Sequence, residues 1–210
     1  MKNNLPDNIA IFPLSNAVFF PKTILPLNIF EDRYLQLVSD CMKEGRMFGM
    51  VQPKSKKNEM KDVYKVGCLG KITSFNETAD KRFIINLSGI IRFRIKKETD
   101  IKKLYRKFDV DYSEFLDDLK NEDNKINYTN KVFFKKIKLF FGKLNYPIDY
   151  NELGKLNADQ LVSTICMIAP FSTEEKQKII EAVKIENKIQ VLDEIINFKL
   201  FEIEEIKTIQ

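Results

Sequence analysis

Gly67-Cys68-Leu69-Gly70-Lys71-Ile72-Thr73 offers two glycines, a lysine and a hydroxyl, the residue types from which a phosphate-binding loop is built. The spacing does not fit. Only Cys68 and Leu69 separate the glycines, and Ile72 stands where a Mg2+-binding Ser or Thr belongs. The segment also reads as a strand, so it lacks the N–H cradle of a helix start, and Gly67 and Gly70 are expected to permit a bulge or a close strand approach. A Ser-Lys dyad needs a desolvated lysine beside an exposed serine. Ser163 and Ser172 instead sit in amphipathic helical patterns, and Ser172 has a capping role to fill. Glu31-Asp32 and Asp117-Asp118 are paired carboxylates, but neighbours on one chain need not face one site. Glu31-Asp32 suits a helix start, where anions complement the macrodipole.

Histidine is absent, which removes the usual general base, the Ser-His and Cys-His nucleophile pairs and the commonest zinc ligand. Cys41, Cys68 and Cys166 are far apart and form no Cys-x-x-Cys; they fit buried thiols in a reducing cytosol. No catalytic residue, metal or cofactor is expected. The remaining candidate is a surface for polypeptide. Val18-Phe19-Phe20-Pro21 lies between expected strands, where two consecutive aromatics should not both point inward. Phe19 or Phe20 is therefore expected to be partly exposed, forming an apolar patch with Phe30, Tyr34 and Phe48, with Arg33 at its rim; core packing is the competing and stronger expectation for each one singly.

The elements that must carry this patch follow from the chain's periodicity. With 210 residues, 44% hydrophobic and 31% charged, the composition is that of an ordinary globular protein. Charge is uneven: residues 1–115 hold 21 Lys+Arg against 14 Asp+Glu, or +7, whereas residues 116–210 hold 14 against 16, or −2. A basic front half can attract RNA or acidic peptide. Pro6, Pro13, Pro21 and Pro26 interrupt every early apolar run, which fits neither a signal peptide nor a membrane span.

Ile9–Phe12 and Ile24–Ile29 read as strands, the second at an edge because Pro26 cannot donate to a ladder. Helical spacing runs from Glu31 to Met42, with Gly45 as its stop. Arg46–Gln52 is extended, Pro53–Asp62 is a polar loop, and Lys65–Phe75 and Arg82–Lys96 are strands. Alternation in Ile91–Lys96 predicts a basic outer face, and Phe108, Val110 and Tyr112 alternate with Asp109 and Asp111. Antiparallel pairing would set Arg92 and Arg94 against those aspartates. The back half is helical. Expected helices start at Thr129, at Asn157 and at Ser172, the last two with capping-box patterns, and a final one spans Glu186–Phe198. The domains expected are therefore 1–115, β-rich; 116–127, a linker; and 128–210, helical, an α+β class overall.

Ile11-Phe12-Pro13-Leu14, Val18-Phe19-Phe20-Pro21 and Leu25-Pro26-Leu27-Asn28-Ile29-Phe30-Glu31-Asp32-Arg33-Tyr34 together resemble the opening of the substrate-binding domain of Lon proteases. Val66–Ile72, Asn86–Ile95 and Ala169-Pro170-Phe171-Ser172 extend the resemblance over most of the chain. It implies a six-stranded PUA-like pseudo-barrel with one helix, followed by a C-terminal helical bundle. It also implies a non-enzymatic cytoplasmic module that binds unfolded or degron-bearing polypeptides in protein quality control. A protease or chaperone, or further copies in a homo-oligomer, would be its partners. Lon's ATPase and Ser-Lys protease segments have no counterpart in these 210 residues, so its unfolding and cleaving activities are not expected to transfer. The alternative is a PUA-like RNA-binding module, which the basic front half leaves open.

Overall fold

The computed structural model describes residues 5–15, 17–54, 62–120 and 129–208, and among these the chain forms six strands and seven helices. Strands β1 (Asn8–Pro13), β2 (Ile24–Ile29), β3 (Met47–Val51), β4 (Val66–Glu77), β5 (Phe83–Thr99) and β6 (Arg106–Asp111) form one sheet. Its order is β2-β5-β4-β3-β1-β6, and β5 also pairs with β6, so five of the strands close into a ring with β2 attached outside. Only β1 and β3 run parallel. Closure depends on the length of β5. Its 17 residues would span about 56 Å if straight. Phe83–Arg94 pairs with β4, and the strand then bends so that Arg94–Thr99 pairs with β6.

Irregularities in register between Leu69 and Gly70, between Ile72 and Ser74, and between Ile95 and Lys97 supply that curvature. A side chain at Gly67 would place its Cβ 2.3 Å from the Met50 carbonyl, and one at Gly70 would lie 2.5 Å from Leu87 Cγ. The two glycines thus serve close strand approach, as their spacing predicted. Pro26 sits on β2, which pairs with β5 alone.

Helix α1 (Asp32–Lys43) covers β1 and β3 with Tyr34, Leu37, Val38 and Cys41, spaced for one face. Gly45 ends it at φ +90°, a backbone angle that side-chain-bearing residues avoid. The back half holds α2 (Thr129–Lys143), α3 (Tyr150–Leu153), α4 (Ala158–Ile168), α5 (Thr173–Glu181) and α6 (Ile185–Thr208). Both capping boxes form: Asn157 Oδ1 accepts from the Gln160 N–H at 2.9 Å, and Ser172 Oγ from the Glu175 N–H at 3.1 Å. Helix α6 runs ten residues past the expected Phe198, because no glycine or proline stops it. The expected cap by Thr129 and the tip of the Pro53–Asp62 loop lie outside the described side chains.

Two polar joints hold the helices to the sheet. In the first, Arg92 is 1% exposed and directs all five of its N–H groups inward. Nε and Nη2 form a fork on Asp118 at 2.9 and 2.8 Å. Nη1 donates to the carbonyls of Ile180 and Ala182, and Nη2 also to Val183, at the end of α5. The guanidinium stacks 4.5 Å from the Phe115 ring. Phe115 and Asp118 both come from a 3-10 helix, Ser113–Leu119, which straddles the expected boundary between the β-rich part (1–115) and the linker (116–127); residues 121–127 of that linker lie outside the described ones. In the second joint, Gln52 Nε2 reaches Gln177 Oε1 at 2.9 Å, and Gln177 Nε2 reaches the Val66 carbonyl at 3.2 Å.

The expected basic outer stripe is therefore corrected at Arg92, where packed helices cover that face of β5. Arg94 does lie opposite Asp111, but its guanidinium forks onto Glu114 at 2.7 Å, while Lys96 takes Asp111 at 3.2 Å. Removing one member of the Arg92–Asp118 pair strands a buried charge, which costs about 3–5 kcal/mol. Asp118→Ala should lower the urea midpoint accordingly, followed by far-UV circular dichroism. Arg92→Met combined with Asp118→Leu should cost less than Asp118→Ala alone.

Candidate functional site

Five of the six residues expected at a peptide-binding surface are not on an exposed one. Phe19 and Phe20 are buried together. The alternation rule that kept one of them out applies only to extended strands, and Ala17–Phe20 is not a strand. The segment instead turns in over the ring: a Cβ on Gly70 would lie 2.8 Å from the Phe19 ring, and the Phe20 carbonyl accepts from Thr23 Oγ1 at 2.7 Å. Tyr34 and Phe48 are brought together, but under α1. Phe12 stacks on Tyr34 at 4.0 Å between centroids and lies 6.1 Å from Phe48. Arg33 is half-buried, pairs with Glu31 at 2.6 Å and sits 4.6 Å above the Tyr34 ring. Phe30 alone is as expected, 62% exposed.

Around Phe30 the structure forms a different surface. Beyond the ring, β2, β5 and the end of β4 project as a three-stranded blade. On β2, Leu25, Leu27 and Ile29 turn inward while Ile24, Pro26 and Asn28 are exposed. Directly opposed residues share a face, and Ile84 lies opposite Asn28. Ile24 is 63% and Ile84 46% exposed, and the Arg82 guanidinium stands 5.7 Å from the Phe30 ring. Phe75 belongs to the other face, tilted against Phe83 at 4.9 Å. Ile24 and Ile84 were hidden in unbroken apolar runs, Ile24–Leu27 and Phe83–Ile85. Only the two-residue period counted from Pro26 could have separated outward from inward positions.

Two further cavities flank the joints. An apolar crevice between Leu14, Val18, Val51, Val66 and Ile180 has room of about 10 Å³, enough for one water and not for a side chain. Gln52 Oε1, buried there, has no hydrogen-bond partner, so a single water suits it. A polar cleft of about 520 Å³ lies between Lys22, Asp117, Asp159, Lys184 and Lys188. Its charges are largely paired, Lys188 with Asp159 at 2.9 Å and Lys120 with Asp117 at 2.7 Å.

The chemistry available is correspondingly limited. Burial pushes the Cys41 and Cys166 thiols up to about 12, and Cys68 rises for the same reason, so none is a thiolate near neutral pH. Among the described residues no cluster of Cys, Asp and Glu is placed to hold a metal ion. Several of the front half's cations face acidic neighbours: Arg94 with Glu114, Arg106 with Glu98 at 2.6 Å, Lys103 with Asp40 at 3.0 Å. No described helix is long and apolar enough to cross a membrane.

A closed mixed sheet with an outlying edge strand is thus joined to a helical bundle and presents an apolar blade. The family model for the ATP-dependent protease La (LON) substrate-binding domain matches residues 8–197, and the chain belongs to that family. The Lon protease of Syntrophus aciditrophicus is 27% identical over 208 residues, covering 93% of this chain and 26% of that protein. That of Desulfosudis oleivorans is 26% identical over 94% of this chain and 25% of its own length. The chain thus spans about a quarter of these relatives. Two solved structures share the fold. The Lon N-terminal domain protein of Xanthomonas campestris has a TM-score of 0.64 at 19% identity, covering 88% of this chain and 96% of its own. The N-terminal domain of Mycobacterium avium complex Lon protease has a TM-score of 0.65 at 12% identity, covering 90% and 98%.

The paired carboxylates also set an acid limit. A hydrogen bond from Lys103 holds Asp40 below its usual range, one from Arg106 does so for Glu98, and one from Arg94 for Glu114. A carboxyl depressed in the folded state contributes stability above its unfolded pKa of about 4 and loses it as pH falls through the folded value. Urea midpoints should therefore hold from pH 7 to 5 and fall below about pH 4. Glu114→Gln should make that acid loss shallower while lowering the midpoint at pH 7.

Proposed function

We propose that this chain is a substrate-recognition module that binds exposed apolar segments of unfolded or degron-bearing polypeptides on the outer face of its β2–β5 blade. The observation that carries the reading is Phe30, Ile24 and Ile84 exposed on one blade of a domain whose family is defined by substrate binding. Phe30 is the aromatic anchor. Arg82, beside it, offers a cation to the polar backbone or an acidic flank of the bound segment. We read the ring and α1 as the PUA-like pseudo-barrel that supports this blade. The role is non-catalytic and cytoplasmic, in protein quality control, with a protease or chaperone to act on what is held.

Magnitude limits the binding. Covering about 300 Å² of apolar surface yields roughly 7.5 kcal/mol gross at about 25 cal/mol per Å². Association and ordering consume much of this, leaving a dissociation constant of about micromolar or weaker. Several linked copies would raise it by avidity, which is the reason to expect a homo-oligomer or a larger host.

The test is Phe30→Ser with Ile84→Ser, assayed by fluorescence anisotropy against a labelled, permanently unfolded protein. Both side chains are exposed, so the fold should survive, checked by circular dichroism. Binding should weaken about tenfold; unaltered binding would remove the blade as the site. Phe20→Ser is the contrasting control, expected to cost about 3 kcal/mol or more of stability because it empties a core position.

A further inference from the structure

We propose that the groove between α5 and α6 docks a basic amphipathic helix of a partner protein. The groove is open, about 850 Å³, and lies at the helical end of the molecule, on different elements from the blade. Its floor is a stripe along α6: Val191, Ile195, Phe198 and Phe201 recur at three- and four-residue spacing on one side of that helix. Val191, Ile195 and Phe198 line the groove, with Ala182, the residue after α5, also in its wall, and Phe201 continues the stripe. Ile195 is buried, but Phe198 and Phe201 are each 57% exposed. The expected helix end at Phe198 cuts this stripe short; the observed helix carries it on to Phe201.

Two aromatics in series, about one turn apart beside a neighbouring helix, form the seat for a third helix, which would lay its own apolar spine between α5 and α6. The charge around the seat selects the occupant. Glu175 and Glu181 on α5 and Glu194 on α6 line the groove with Lys178; Lys199 pairs with Glu175 at 3.2 Å and stands 5.7 Å from the Phe198 ring, which leaves Glu181 and Glu194 as the acids facing a partner. Glu205, exposed, lies about three turns beyond Glu194 near that side of α6. A second copy would set this acidic rim against itself, and like charges at an interface are strongly disfavoured. A helix flanked by Lys and Arg is complementary, and its encounter would be accelerated at low salt.

The test uses two synthetic helix-forming peptides of about 18 residues, each with leucines at i, i+3, i+4 and i+7. One carries lysine at the remaining positions and the other glutamate. The basic peptide should bind the full chain with a dissociation constant of about micromolar, weakening as salt rises; the acidic peptide should bind at least tenfold more weakly. Phe198→Ser with Phe201→Ser should reduce binding of the basic peptide at least tenfold. Glu194→Lys with Glu205→Lys should do likewise and reverse the preference between the peptides. Equal binding of both peptides, or no effect of either double variant with the fold intact by circular dichroism, overturns the proposal. So does a dimer in sedimentation that Phe198→Ser abolishes, since a second copy would then own the groove. Phe30→Ser should leave binding of the basic peptide unchanged, so this result stands or falls apart from the blade.

Discussion

The relative placement of sheet and helices depends on one buried guanidinium. Arg92 lies on the strand that closes the ring, and its five N–H groups are shared between Asp118 and three carbonyls at the end of α5. An arginine is suited to this because its donors form a rigid planar fork, which fixes angle as well as distance. A buried ion pair is weak evidence for net stability, because desolvation offsets most of the attraction. What it does supply is geometry. The carbonyls of Ile180, Ala182 and Val183 point out of a helix end, where no intrahelical partner exists, and Arg92 satisfies them. The loop after α5, and hence the direction in which α6 departs, follows from that contact.

The ring itself is constrained by close approach. β5 can pair with β4 along one half and β6 along the other only if the sheet curls tightly, and irregular register with small residues at Gly67 and Gly70 allows it. Closure removes the edges that a flat six-stranded sheet would expose. β2, left outside the ring, keeps a free edge interrupted by Pro26, a residue that cannot donate to an added strand. Recognition on the blade is therefore better served by its apolar face than by main-chain pairing along that edge.

Local signals in the sequence were sufficient for most elements. Helix α1, the two capping boxes and the strand glycines each follow from residue chemistry acting within a few positions, and the structure contains all of them. Long-range placement was less legible. Arg92 and Arg94 sit two residues apart with the same alternation, yet one is enclosed by the 3-10 helix and α5 while the other reaches solvent. Nothing within the strand distinguishes them; the difference comes from elements far along the chain. The same holds for the site. Phe19 and Phe20 lie in irregular backbone, where no period assigns a direction, so their burial depended on the ring they cover. Phe30 was legible because it follows the last inward residue of β2 and precedes a helix, which leaves it no core to enter. Asp149, whose carboxylate caps α3 through the N–H groups of Asn151 and Glu152, follows the Tyr146-Pro147 break, where a single-turn helix leaves no periodic trace.

Exposed aromatic side chains are costly to retain, since each gives up the stabilisation that burial would bring and invites aggregation. In this chain the three most exposed of them, Phe30, Phe198 and Phe201, occupy two separate surfaces. Phe30 stands beside a cation, Arg82, at the sheet end; Phe198, with Lys199 beside its ring, lines a groove with Glu175, Glu181 and Glu194 at the helical end. Charge beside an apolar patch discourages two copies of that patch from meeting, because the like charges must be desolvated together. It leaves the patch open to a complementary partner. Between the two surfaces lie the Arg92 fork and the glutamine joint, which hold one end in fixed relation to the other. A segment held on the blade and a helix seated in the groove would then be presented in a single geometry, and their effective concentration would be set by this body rather than by a flexible tether. Loosening the fork should weaken that coupling without altering either surface alone.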